Sequence, residues 1–260
     1  MLTEAATAMT KGGSAGAKRP VALLEVCVDS LSDAFIAFKS GADRIELCAG
    51  LSAGGLTPSY GAVRAAVALG GQVIVLIRPS EGGFIYQFDE IAQMVTDIEL
   101  ARDAGAAGVA IGVLSDDLTL DMPVMKRLCD AAAGMQIVLH RAFDLVPDPF
   151  VALNQAIDLG IVRILTSGQK ATAYDGRELL ARLVTAAKGR IEILPGAGVR
   201  PETAVTLMND TKATQLHSSC RVNRKSDPRL AAFGFAPADE VSTISAARIK
   251  EMKNIMESAL

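Results

Sequence analysis

Glu25, Cys27 and Asp29 follow one another at intervals of two, and so do Glu46 and Cys48. In a β-strand that spacing puts side chains on one face. If both stretches are neighbouring strands, two carboxylates share one layer and two thiols the next. A carboxylate facing a core is costly unless paired, and Arg78, His140 and Arg141 are the candidate partners. Carboxylates beside imidazoles and guanidiniums can move protons and hold an anion. His140 and His217 are the chain's two histidines; the first stands in LHRAFD with Arg141 and Asp144, the second in HSSC, which ends at Cys220. Gly196 and Gly198 lie in a PGAG run ahead of a helix pattern, where exposed N–H groups can cradle an anion such as phosphate.

These residues need strands to present them. From residue 20 onward, short apolar, β-branched runs alternate with longer helical patterns, as βαβ units require. Eight strands are predicted, over 23–29, 44–48, 72–79, 108–114, 136–144, 163–168, 191–198 and 215–220. Each is followed by a helix pattern. Ser30 with Asp33 predicts a capping box, and Thr57-Pro58 a helix with proline at its first position. Asp121, Asp148-Pro149 and Arg200-Pro201 open three more, a sixth helix is expected over 175–189, and the last over 239–258. Residues 89–104 hold Ile91, Met94, Val95, Ile98 and Ala101 on one face. Gly41, Gly105 and Gly160 each stand where a helix ends ahead of a strand.

Strict alternation predicts an α/β fold, a single-domain (β/α)8 TIM-type barrel, over an open doubly wound sheet. Residues 1–19 are expected to form a flexible tail, and 20–260 the barrel with its C-terminal helix. In such barrels functional residues gather at the C-terminal ends of the strands, and both histidines fall there. Simpler readings stand beside this one. A buried Glu–Arg pair can serve register alone, a histidine can be a core residue, and a Gly-x-Gly run can be a tight turn.

Composition narrows the function classes. Half of the 260 residues are hydrophobic and 21% are charged, a globular balance. The net charge of −3 argues against nucleic acid or an anionic membrane surface as partner. No run approaches the roughly 20 apolar residues of a membrane span. The N-terminal stretch lacks the apolar region of a secretory signal, so a cytoplasmic protein is expected. Cys27, Cys48, Cys129 and Cys220 show no CxxC spacing and read on their own as small buried hydrophobes.

The segments EVCVDS (25–30), GADRIELCAGLSAGGLTPSYG (41–61), IRP (77–79), HRAFD (140–144), RILTSGQ (163–169), PGAGV (195–199) and LHSS (216–219) together resemble the CutC-type copper homeostasis family. The resemblance runs from about residue 21 to 220, in order. It implies a TIM-like barrel, a cytosolic location and a role in copper handling. It further implies that Cys27 and Cys48 are the Cu(I) ligands, which suits the soft donor character of thiolates. The family's Arg-Gly-Gly-Asp-Phe run is here Ser80-Glu81-Gly82-Gly83-Phe84, so a loop carboxylate is moved or lost. Cys220 replaces a small residue, and its parity with His217 is wrong for facing inward. Family members often self-associate, but nothing in the residues sets an oligomeric state.

Two functions are therefore expected to compete. One is Cu(I) binding by Cys27 and Cys48, with His217 or His140 in support. The other is acid–base chemistry on a small anionic or phosphorylated metabolite. There Glu25, Glu46, Arg78, His140, Arg141, Asp144 and His217 are the candidates, and Gly196 and Gly198 the anion cradle.

Overall fold

The computed structural model describes residues 22–237 and 239–259, so the stretch 1–19 read as a tail lies outside the described residues. Eight parallel strands form one sheet: β1 (Leu23–Val28), β2 (Arg44–Leu47), β3 (Gln72–Leu76), β4 (Gly108–Ile111), β5 (Gln136–Leu139), β6 (Arg163–Thr166), β7 (Glu192–Pro195) and β8 (Gln215–Ser218). Ladders join them in chain order from β1 to β7, and β8 pairs with β1. β7 and β8 lie side by side with no ladder between them. The Ser218 hydroxyl crosses that seam to the Val199 carbonyl at 2.8 Å. The sheet is thus a nearly closed barrel, as the alternation predicts, and not an open doubly wound sheet.

Seven helices follow the first seven strands: α1 (Leu31–Lys39), α2 (Tyr60–Val67), α3 (Phe88–Asp103), α4 (Met122–Ala131), α5 (Pro149–Asp158), α6 (Arg177–Ala187) and α7 (Pro201–Thr211). After β8 come β9 (Arg221–Lys225), α8 (Pro228–Ala232), β10 (Glu240–Ile244) and α9 (Ala246–Ser258). The period of two along β1 sorts its side chains. Leu24, Val26 and Val28 enter the outer core between strands and helices, whereas Cys27 packs inside the barrel with Cys48, Ile74, Leu76, Val138, Leu165 and Leu194. Burying each large aliphatic chain contributes about 1.5–3 kcal/mol, and the inner layer has few of them because polar groups take its other places.

Local signals place most helices correctly. Gly41, Gly105 and Gly160 have φ of 101°, 85° and 73°, left-handed conformations that glycine adopts without strain. Ser30 caps α1 by accepting the Asp33 N–H at 3.0 Å. The Asp33 carboxylate does not return to complete the box; it pairs with Arg221 at 2.9 Å. Thr57-Pro58 does not open α2. Ser59 caps that helix at Tyr60, because the Thr57 hydroxyl is engaged by the Arg78 N–H at 2.9 Å. The helix expected over 239–258 begins only at Ala246; residues 240–244 pair antiparallel with β9 instead. Strand 5 also ends early, at Leu139, since His140 turns the chain into a 3-10 turn over Arg141–Leu145.

The loop after β6 folds tightly against the start of α6. A Cβ at Gly176 would stand 1.9 Å from the Ser167 carbonyl oxygen, a backbone contact that cannot move aside. Gly176→Ala is expected to destabilise the fold by about 1–3 kcal/mol or more, the cost of overpacking. Thermal unfolding followed by circular dichroism checks this, and an unchanged melting temperature would contradict it.

Candidate functional site

Glu25 lies inside the barrel, 1% exposed, between Arg44 of β2 and His217 of β8. Ladder register sets this meeting: Glu25 is level with Arg44 on one side and with His217 on the other. Its carboxylate accepts a short hydrogen bond from Arg44 Nε and contacts His217 Nδ1 at 2.7 Å. Arg44 also donates to Gln215 at 3.0 Å. Burial alone would raise the Glu25 pKa, but the His217 hydrogen bond and the Arg44 charge lower it to about 2. His217 moves the other way. Burial opposes its charge, yet the Glu25 hydrogen bond and the Glu46 and Glu25 charges raise its pKa.

The next level up holds the thiols. Cys27 is level with Glu46, not with Cys48. The two Glu-x-Cys motifs are therefore staggered by one pleat, because strands in a barrel tilt and shear past one another. The expected arrangement, two carboxylates in one layer and two thiols in the next, does not form. Cys27 Sγ donates to Glu46 Oε2 at 3.5 Å and lies 4.0 Å from Cys48 Sγ. Cys48 Sγ points to the Val28 carbonyl at 3.4 Å. His217 Nε2 stands 3.9 Å from Glu46 Oε2. The hydrogen bond with Cys48, burial and the Glu46 charge push the Cys27 thiol well above its ordinary range. Burial raises Glu46 as well, against the pull of His217. Cys27, Glu46 and His217 each offer a ligand atom within 4.8 Å of the others, and could hold a metal ion.

The expected partners of the carboxylates sit elsewhere. Arg78 donates to the carbonyls of Ala53, Gly55 and Gly82 at 2.8–3.0 Å, so it braces loops and pairs with neither Glu25 nor Glu46. Arg141 pairs with Asp144 at 2.8 Å. Asp144 also accepts from Thr166 Oγ1 at 2.5 Å and the Ser167 N–H at 3.0 Å, which fixes the loop after β6. Gly196 leaves room for Leu165, whose Cδ1 a Cβ would meet at 2.4 Å; Gly198, with φ of 68°, packs beside Thr172, which a Cβ would meet at 3.2 Å. Cys220 packs into the outer core and so does not join the thiols, as its parity implies. Arg78, His140, Arg141, His217, Gly198 and Cys220 all line one cavity of about 470 Å³ whose floor is Cys27 and Glu46.

His140 is a special case. Its Nδ1 accepts the Ala142 N–H at 3.2 Å and its ring tilts against Phe84, centroids 4.9 Å apart. Burial, aided by the Arg78 charge, lowers its pKa to about 3. A base whose folded pKa is depressed stabilises the fold fully above its unfolded value near 6.5. That contribution is lost as pH falls toward 3, at about 1.4 kcal/mol per pH unit. His140→Phe is expected to flatten the acid limb between pH 6.5 and 4.5, read by urea unfolding. A limb as steep as the wild type's would contradict it.

Arg44 and Gln215 escaped the sequence reading because they open their strands beside polar residues and look solvent-facing. Parity carries the missed signal: Arg44, Glu46 and Cys48 alternate on one face. Arg163, which opens β6 and donates to Gln136 at 2.6 Å, escaped for the same reason. Among the described residues no helix is long and apolar enough to cross a membrane.

Comparison with known proteins agrees with this architecture. The CutC family protein of Agrobacterium fabrum is 46% identical over 238 residues, 91% of this chain and 94% of its own. That of Sinorhizobium medicae is 45% identical over 237 residues, 91% of this chain and 96% of its own. A solved Streptococcus agalactiae chain, assigned to copper homeostasis under the name CutC, superposes with a TM-score of 0.74 at 32% identity, covering 76% of this chain and 99% of its own. The model of the CutC family matches residues 22–222, which takes in every strand of the barrel and both Glu-x-Cys motifs, and the chain belongs to that family.

Proposed function

We propose that this protein is a cytosolic copper homeostasis protein that binds Cu(I) through Cys27 and Cys48 at the C-terminal ends of β1 and β2. The observation that carries the reading is the buried thiol pair, Sγ atoms 4.0 Å apart, of which Cys27 lines the cavity at the strand ends. Thiolate bonds to a metal such as zinc are about 2.3 Å long, so one ion can bridge this separation. Sulfur donors select Cu(I) over harder ions, and thiols stay reduced in the cytosol. Family membership and the copper assignment of the Streptococcus agalactiae relative support the same ion.

Binding requires both thiols to lose their protons. Glu46 is in place to accept the one on Cys27, at 3.5 Å. A protonated His217 below would offset the negative charge of two thiolates around one monovalent ion. Anaerobic titration with Cu(I) against a competing chelator tests the reading. A single tight site per chain is expected, and weak or non-stoichiometric binding would overturn it.

A second reading is supported by Glu46 itself. Its carboxyl stands between Cys27 and His217 beneath a cavity of ligand size, and two-coordinate copper uses neither Glu46 nor the Glu25–Arg44 pair as a ligand. In that reading Glu46 and His217 exchange protons with a small anionic metabolite. Melting curves with a panel of phosphorylated metabolites test it, and no stabilisation by any of them would count against it.

A further inference from the structure

The cavity above Cys27 is lined by one acid, Glu46 at its floor, and by five arginines: Arg78, Arg141, Arg200, Arg221 and Arg248. Three of these are already committed. Arg221 bridges Asp29 at 3.1 Å and Asp33 at 2.9 Å, Arg141 holds Asp144, and Arg78 braces loop carbonyls. Arg200 and Arg248 have no carboxylate partner among the described residues. Arg248 reaches only the Arg221 carbonyl, at 3.3 Å. The two come from different elements, Arg200 as the N-cap of α7 and Arg248 from the first turn of α9.

Backbone lies beside these two charges. Residues 197–201 line the cavity, and the N–H groups of Gly198 and Val199 donate no hydrogen bond among the described residues. Ala197 and Gly198 both take left-handed φ, 74° and 68°, which turns the chain into α7. N–H groups at a helix start favour an anion, and TIM-type barrels often hold phosphate after strands 7 and 8.

A second, independent observation points to a ligand. His140 Nε2 and Arg78 Nε are buried without any hydrogen-bond partner, in side chains that line the same cavity and are 4% and 7% exposed. His140 Nδ1 accepts the Ala142 N–H, so Nε2 carries the proton and is a donor. A buried donor with no acceptor is uncommon in a native fold, and an acceptor brought into the cavity would satisfy it.

We propose that the cavity binds a small phosphate monoester. Its phosphate is seated by the Gly198 and Val199 N–H groups with Arg200 and Arg248, and its organic end offers an acceptor to His140 Nε2. This names the ligand class for the acid–base reading and rests on that reading only for the idea that a metabolite enters. A volume of about 470 Å³ is in the range of small-molecule sites. A phosphate dianion carries more charge and more acceptor oxygens than a carboxylate, which suits two guanidiniums and two N–H groups together.

Calorimetric titration of the metal-free full chain with inorganic phosphate and with glycerol 3-phosphate, at constant ionic strength, tests this. Both are expected to bind, the monoester more tightly. Arg200→Gln, a change on an exposed residue, should weaken both at least tenfold, and adding Arg248→Gln should weaken them further. Arg127→Gln removes the same charge from the exposed face of α4 and should change neither. His140→Phe should erase the advantage of the monoester and spare inorganic phosphate. Absence of binding, or equal losses in Arg200→Gln and Arg127→Gln, would overturn the proposal. If the monoester binds as described while no phosphorylated metabolite is converted, the anion site stands and the acid–base reading falls.

Discussion

Cys48→Ala is expected to abolish tight Cu(I) binding while leaving a site for Zn(II), whereas Cys27→Ala is expected to abolish both. The asymmetry follows from the stagger of the two motifs. Cys27 belongs to two donor sets: the thiol pair with Cys48, and the mixed set with Glu46 and His217. Removing Cys48 destroys the soft pair and leaves a sulfur, a nitrogen and an oxygen, which suits zinc better than Cu(I). Loss of a direct ligand should exceed the roughly 10–100-fold cost of losing an outer-shell partner. Chelator competition with each ion, run anaerobically on both variants, reads the difference. Wild-type Cu(I) affinity in Cys48→Ala would remove Cys48 from the site and leave the mixed set as the metal centre.

The largest effect on stability is expected from Arg44→Met. Glu25 would then keep its burial, 1% exposed, and lose one of its two compensating partners, with His217 left as the other. Breaking a buried pair on one side costs about 3–5 kcal/mol, while replacing both partners with apolar groups can be nearly neutral. The double variant Glu25→Leu, Arg44→Met should therefore recover most of the loss. The sign with pH is set by the lowered Glu25 pKa, about 2. Its contribution is complete above the unfolded value near 4.5 and fades as pH falls toward 2. The gap between wild type and Arg44→Met should accordingly narrow below pH 4.5 in urea unfolding. A constant gap, or a double variant no better than the single, would show that packing and not charge is at stake.

All eight barrel strands and most helix boundaries were legible in the residues, because parallel strands covered on both faces read as apolar runs. The hairpin of β9 and β10 was not. Its strands, RVNRK and EVSTI, bury one residue between them, Ile244, so their apolar content is too low to mark them as a pair. Within the site, the inward face of β1 and the placement of both histidines near the strand ends followed from parity and position. The partners of Glu25 did not, since which residue stands opposite depends on the shear of the closed barrel, and a single strand's sequence does not contain it. Arg78 and Asp144 looked catalytic by composition, yet each is consumed by holding loop backbone in place.

The seam between β7 and β8 makes the barrel unequal around its circumference. A strand laddered on both sides must break two rows of hydrogen bonds to leave its place, whereas β7 and β8 are each laddered on one side, β8 to β1. Opening costs least where fewest such bonds are lost, so the wall is expected to give way first along the seam between β7 and β8, the second of which brings His217 to Glu25. The seam thus borders the charged interior, and the His217–Glu25 contact adds a side-chain tie to the one ladder that holds β8.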